Sequence, residues 1–227
     1  MKSCRSLLLI VLSAVLLMGC CNNLPASYPT NLVDKLIDST VALVTKNDEG
    51  KYYTFCAGTW ITPQVILTAA HCTKDTEANP IGSVITFKTK EEIETDKIHY
   101  AVVTSFDERR DLAIIKSIDL FPHAISIIAS YDPPQGERVE IVGHTVGMTY
   151  TYLEGIISAY RIDEDAVQVL QISSPAYRGN SGGPAFNSRG ELVGICSFVR
   201  LSGPNLTFFL SRETILKFLH DEKEDIK

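Results

Sequence analysis

The sequence predicts an all-β protein made of two small barrels of about six strands each, followed by a C-terminal helix. Three observations predict it. Short runs rich in β-branched and aromatic residues recur along the chain, each bounded by Gly, Asn, Asp or Pro. A Pro-rich break at Asp132-Pro133-Pro134 divides these runs into two sets. Helical periodicity is scarce and confined to two short stretches near the ends of the chain.

Taken in order, the first stretch with a helical period is Asn31 to Asp38 (NLVDKLID). The first set of strands then reads Thr40-Thr45, Tyr52-Ala57, Val65-Leu67, Ser83-Phe87, Ile98-Thr104 and Leu112-Ile115. The second reads Arg138-Val142, Val146-Leu153, Gly155-Ala159, Ala166-Ile172, Leu192-Phe198 and Leu206-Leu210. Ser211 is placed to cap a terminal helix, with Glu213 in its first turn and Ile215, Leu216, Phe218 and Leu219 on one broad face that packs on the second barrel. Glu222 to Lys227 is a charged, solvated tail. This places barrel 1 at about 31–125, barrel 2 at about 135–210 and the terminal helix at about 211–222, within one domain over 31–227.

The composition, 45% hydrophobic and 21% charged over 227 residues, is that of a globular chain and excludes a disordered tail or a collagen-like polymer. The formal charge of -6 comes with no dense basic window, so nucleic acid is excluded as an expected partner. At the N-terminus Lys2 and Arg5 precede an apolar run, Leu7 to Met18, interrupted only by Ser13. This pattern is that of a signal peptide over residues 1–19. As a helix the run spans about 18 Å, against roughly 30 Å of hydrocarbon, which argues against a permanent membrane span. Leu17-Met18-Gly19-Cys20 resembles a bacterial lipobox, with Met18 where Ala or Ser is usual. That resemblance implies cleavage before Cys20 and lipidation of its thiol, giving an exported protein held at the membrane on the periplasmic or extracellular side. A plain secretory signal is the alternative. Cleavage there leaves 19 basic and 27 acidic residues, a net charge of -8. Residues 20–30 then read as a lipidated N-terminus and a polar, Pro-containing tether.

Three segments carry chemistry: Leu67-Thr68-Ala69-Ala70-His71-Cys72, Arg110-Asp111-Leu112-Ala113-Ile114-Ile115, and Arg178-Gly179-Asn180-Ser181-Gly182-Gly183-Pro184. A Ser hydroxyl is a poor nucleophile at neutral pH. It needs a base to take its proton, and the base needs an acid that sets its tautomer. His71, Asp111 and Ser181 supply that set. Asp107 and Glu108 are rival acids, but only Asp111 directly precedes the apolar strand that would bury and aim a carboxylate. The motifs TAAHC, DLAII and GNSGGP closely resemble those of chymotrypsin-like serine peptidases. GNSGGP followed by Gly-Glu-Leu-Val-Gly-Ile looks most like the bacterial trypsin-like and heat-shock branch. The resemblance runs from about Leu43 to Leu219.

The resemblance implies a double six-stranded antiparallel β-barrel with the active site between the barrels. It implies a serine endopeptidase acting on proteins or peptides, with His71 as general base and then acid, Asp111 as its orienter and Ser181 as nucleophile. The backbone N–H groups of Gly179 and Ser181 would form the oxyanion hole. It also implies a disulfide between Cys56 and Cys72, two buried thiols being the alternative; Cys196 reads as a buried small hydrophobe, with Cys21 as its rival partner. Departures from the digestive relatives are informative. Asn180 stands where their Asp receives a freed terminal amine, so that form of zymogen activation is not expected. Pro175 stands where an Asp would attract a basic P1 side chain. Ser197-Phe198-Val199 resembles the family's Ser-Trp-Gly pocket wall, with Val199 narrowing the mouth, so small or medium apolar P1 residues are expected.

Other readings weigh less. The pattern G-x-S-x-G within 179–183 fits an α/β-hydrolase elbow, but that fold needs an acid and a His after the Ser, and only His220 follows. A silent binding module on a peptidase fold has no chemical need for all three of His71, Asp111 and Ser181. His99, His123, His144 and His220 form no H-E-x-x-H pair and read as ordinary surface or barrel residues, so no metal or other cofactor is expected. Too few residues follow the terminal helix for a large appended peptide-binding domain, so substrate capture is expected to use the barrels, their loops or a separate partner.

Overall fold

A computed structural model describes residues 30–74, 80–121, 125–199 and 207–222, without the side chains of residues 30, 31, 198 and 199. The signal segment, Cys20, Cys21 and the tether up to residue 29 lie outside the described residues, as does His123. Both barrels belong to one unit, Asp34–Lys227; residues 30–33 belong to a separate one.

A helix, α1 (Thr30–Asp38), precedes β1 (Thr40–Lys46), β2 (Tyr52–Trp60), β3 (Val65–Ala69), β4 (Val84–Lys88), β5 (His99–Asp107) and β6 (Leu112–Ser117). These six close a barrel in the order β1-β2-β3-β6-β5-β4. Then β7 (Arg138–Gly143), β8 (Thr151–Ile162), β9 (Gln168–Ile172), β10 (Pro184–Asn187), β11 (Leu192–Val199) and β12 (Thr207–Ser211) close a second in the order β10-β11-β12-β9-β8-β7. Neighbouring strands in both barrels are antiparallel. Closure gives every strand a neighbour on each side.

Alternation sends one side chain in two into each barrel. In β5, Ala101 and Val103 are buried while Tyr100 and Thr104 are exposed. The first core gathers Val41, Leu43, Ile66, Ile115 and Trp60. The Trp60 ring stacks on Phe121 at 5.1 Å and meets Phe87 edge-on at 5.7 Å. The second core gathers Ile141, Ile157, Leu170, Val193 and Phe209. After β12, Ser211 caps α2 (Arg212–Asp221), its hydroxyl accepting from the Thr214 N–H at 3.3 Å, and Ile215, Phe218 and Leu219 are buried on one face.

Three details differ from the sequence reading. Leu216, expected on the packed face of the terminal helix, is exposed, because Ile215, Phe218 and Leu219 define the face turned to the barrel and Leu216 lies about a third of a turn away from it. Residues 146–150 are a turn, and the runs at 151–153 and 155–159 belong to one long strand, β8. Gly155 does not break β8; a Cβ there would lie 2.9 Å from Ile172 Cγ2 and 3.0 Å from Ser174 Cβ, so the glycine marks a close approach. The sixth strand of barrel 2 is instead β10, whose sequence PAFN carries no β-branched residue.

Truncating Trp60 empties the centre of the first core, so Trp60→Ala is expected to cost about 3–5 kcal/mol in urea unfolding. Leu216→Ala, on the exposed side of α2, should stay within about 0.5 kcal/mol of the parent.

Candidate functional site

In the ladder between β3 and β6, Ala69 pairs with Leu112. The chain leaving β3 and the chain entering β6 are therefore neighbours, which places His71 beside Asp111. His71 sits in a 3-10 turn, Ala70–Cys72. Its backbone N–H donates to Asp111 Oδ1 at 3.0 Å, and its Nδ1 lies 3.0 Å from Oδ1 and 2.9 Å from Oδ2. A carboxylate only accepts, so this contact sets the proton on Nδ1 and leaves the Nε2 lone pair facing outward. The rival acids are engaged elsewhere: Asp107 pairs with Arg110, and Glu108 with Lys74.

Asp111 adopts φ +52, the left-handed region that few residues other than Gly tolerate. The Ala70 N–H donates to its carbonyl at 3.0 Å. From the second barrel, Ser197 Oγ donates to Asp111 Oδ2. Ser197 reaches across because it is the extra residue of a bulge in β11: Cys196 pairs with Phe209 and Phe198 with Phe208, leaving Ser197 between them. Ser197 thus lies behind the carboxylate. Phe198 and Val199 run along β12, opposite Phe208 and Thr207, and their side chains lie outside the described residues, as does the narrowing expected from Val199. Pro175 is exposed.

Ser181 lies in the turn before β10. Its carbonyl accepts the Ala57 N–H of β2 at 2.8 Å. The next residue, Gly182 (φ +78), presses against the first barrel: a Cβ there would lie 2.2 Å from both Ala57 O and Thr68 Oγ1. Only glycine allows that approach. Within the turn Asn180, Gly182 and Gly183 donate their N–H groups to Tyr177 O, Cys196 O and Asn180 O. The N–H groups of Gly179 and Ser181 have no acceptor among the described residues. Ser181 Oγ makes no hydrogen bond to His71 among the described residues.

Cys56 and Cys72 form a disulfide with Cα atoms 6.0 Å apart. Cys72 Sγ lies 3.6 Å from Ser181 O, a contact only, since a disulfide sulfur carries no proton. The two sulfurs and a His71 ring nitrogen lie within 4.8 Å of one another, but bonded sulfurs offer no thiolate, so this cluster cannot ligate a metal while the bridge is intact. Cys196 is free and buried, and burial, followed by the charge of Asp111, pushes its thiol up to about 12. A cleft of about 490 Å³ opens beside His71, Asp111 and Ser197. Phe106 and Leu210 supply its apolar wall, and Lys74, Arg109, Asp163 and Asp165 its charged rim. Nothing in their sequence context marks these lining residues, because they meet only through the closure of two barrels. His144, read from the sequence as an ordinary surface or barrel residue, is fully buried.

The model described as "Trypsin-like peptidase domain" matches residues 56–195, which covers the segments bearing His71, Asp111 and Ser181. The chain belongs to the trypsin-like peptidase domain family. A protein of Pseudomonas fluorescens named "Probable periplasmic serine endoprotease DegP-like" is 36% identical over 94 residues, which is 40% of this chain and 20% of that one. The bovine "Serine protease HTRA2, mitochondrial" is 29% identical over 128 residues, 53% of this chain and 28% of the relative. The aligned segment thus spans less than a third of the length of these curated relatives. Among solved structures, a serine endoprotease from Yersinia pestis superposes with a TM-score of 0.71 at 24% identity, over 88% of this chain and 68% of that one. The Rv3671c protease from M. tuberculosis in its active form superposes with a TM-score of 0.68 at 22% identity, over 86% and 87%. These two likenesses are of fold.

The contact of Gly182 with barrel 1 is open to a quantitative check. Gly136 has a similar left-handed backbone, φ +90, but open space around it. Gly182→Ala is expected to destabilise by about 1–3 kcal/mol more than Gly136→Ala in urea unfolding, the excess being the clash with Ala57 and Thr68.

Proposed function

We propose that this chain is a serine endopeptidase that hydrolyses peptide bonds through an acyl-enzyme on Ser181. The observation that carries the reading is the bond from His71 Nδ1 to a carboxylate that also accepts from Ser197 of the second barrel. In this reading the outward Nε2 takes the Ser181 proton as the hydroxyl attacks the scissile carbonyl, then gives it to the leaving amine. Asp111 holds the tautomer and stabilises the imidazolium. Gly179 and Ser181 offer their N–H groups to the oxyanion, where fixed donors meet charge that develops only in the transition state.

Substrate enters as an extended strand. Beyond Cys196, β11 pairs with β12 on one side, and the pairing with β10 ends at Ile195. The other edge at residues 197–199 is therefore placed to add a substrate strand. Pro175, with no carboxylate, and Val199, with a branched side chain, support a preference for small or medium apolar P1 residues. The signal-like segment and the periplasmic naming of the Pseudomonas relative support export. The lipobox-like sequence supports a lipid anchor at Cys20 on the outer side of a bacterial membrane.

A fluorophosphonate probe should label the protein at Ser181, and Ser181→Ala should abolish labelling; equal labelling of the variant would sink the assignment. Asp111→Asn should lower kcat about 10⁴-fold, because an amide can hold the wrong tautomer. In a peptide-library profile cleavage after Lys or Arg should be minor, and a dominant basic P1 preference would overturn the pocket reading. Cys20→Ala should abolish incorporation of labelled fatty acid in a bacterial host.

A further inference from the structure

Between β7 and β8 the chain makes a strained loop. Val146 has φ +50 and Tyr150 φ +55, left-handed conformations that are costly for a β-branched or a bulky side chain. The loop is clasped to the turn that carries Ser181. The His144 N–H donates to Gly179 O at 3.3 Å, Thr145 Oγ1 to Asn180 Oδ1 at 3.0 Å, and the Val146 N–H to Arg178 O at 2.8 Å. The backbones touch so closely that a Cβ on Gly179 would lie 2.0 Å from His144 O. Three consecutive residues thus hold Arg178, Gly179 and Asn180 in place.

What holds the clasp is the ring of His144, which is wholly buried. Its Nδ1 accepts the Tyr150 N–H at 3.0 Å, closing the loop on itself. A nitrogen that accepts carries no proton, so the other nitrogen does, and Nε2 donates to Val41 O of β1 at 3.1 Å. The Tyr150 ring meets the imidazole edge-on at 4.8 Å, and its hydroxyl donates to Lys88 O of β4. One neutral imidazole therefore ties the loop to the first barrel and shapes its contact with the Gly179 turn. An imidazolium cannot do this, because its Nδ1–H would point at the Tyr150 N–H, donor against donor.

We propose that His144 is a positioning residue for the oxyanion turn and a proton-operated latch on it: neutral, it keeps Gly179 and Ser181 aimed; protonated, it releases them. Its position supports this. Burial holds the imidazole down to about 4, opposed only by the hydrogen bond to the Val41 carbonyl. The titratable and charged groups around it are Tyr150 on its own loop, Lys88 on β4, Arg178 beyond Val146, and Asp38, Glu91 and Glu92 on the Tyr150 side. Val41 and Ala42, its neighbours on β1, carry no charge. The sign follows from a folded value below the unfolded one. The contribution of the neutral ring is complete above about pH 6.5 and is lost as pH falls toward 4, because the unfolded chain takes up a proton that the folded chain refuses.

The inference rests on the peptidase reading only for what the turn does, and its first test needs no catalysis. In the full chain carrying Ser181→Ala, NMR should find a His144 midpoint near pH 4, with the Gly179 and Asn180 amide resonances moving at the same midpoint. Adding His144→Asn, which keeps an acceptor near Tyr150 but does not titrate, should flatten those movements. Amides that titrate unchanged in the Asn variant, or that stay still while His144 protonates, would overturn the latch. The second test uses active enzyme at pH 7.5. His144→Ala should lower kcat about 10- to 100-fold, as misplacement of the donors would, with KM within about twofold. His144→Asn should recover most of the loss; an unchanged kcat in a folded His144→Ala protein would overturn the positioning role. Failure of fluorophosphonate labelling would strike the peptidase reading and leave the NMR result standing.

Discussion

The hydrogen bond from the Ala57 N–H to Ser181 O, 2.8 Å long, is the joint between the barrels on which the rest of the site depends. Ala57 follows Cys56, Cys56 is bonded to Cys72, and Cys72 follows His71. A chain of contacts therefore runs from the serine turn of one barrel, through a strand and a covalent bridge, to the imidazole of the other. No link in it is a long flexible side chain, so relative movement of the barrels would be felt at every link. Gly182 makes the joint possible, because a side chain there would occupy the space of Ala57 O and Thr68 Oγ1.

The same economy recurs at the acid. Asp111 accepts from the His71 backbone, the His71 ring and Ser197, so donors from both barrels converge on one carboxylate. Such convergence offsets the cost of a left-handed backbone at a residue that is not glycine. Strain and its compensation are found together again at Val146 and Tyr150, where the clasp around His144 opposes the tendency of the loop to relax. These strained places adjoin His71 and the Gly179–Ser181 turn, whereas Ala166, also left-handed at φ +59, lies in the turn between β8 and β9.

Much of the fold was legible because closed barrels impose a simple pattern. Strands such as Leu112–Ser117 announce themselves by β-branched residues and a turn at each end. The errors have local causes. Val146-Gly147-Met148-Thr149-Tyr150 has strand composition, yet it is bent into a turn by contacts with residues some thirty positions away. Gly155 resembles a break, whereas it is the place where β8 passes close to Ile172 and Ser174. β10 is too short and too plain to be seen, and exists because β7 and β11 flank it.

By itself the sequence determined the strand-rich class, the two-part organisation, and the three segments that bring His71, Asp111 and Ser181 beside the turn or strand residues that suit them. Those are properties of short windows, where side-chain type and spacing carry the information. Only the tertiary structure decided why Ser197 lies behind the Asp111 carboxylate, what lines the cleft, and that His144 is a buried tie between the β7–β8 loop and β1. Each of these is a meeting of residues distant in sequence, and a hydrogen bond of about 3 Å depends on how two closed barrels seat against each other, which no local pattern encodes.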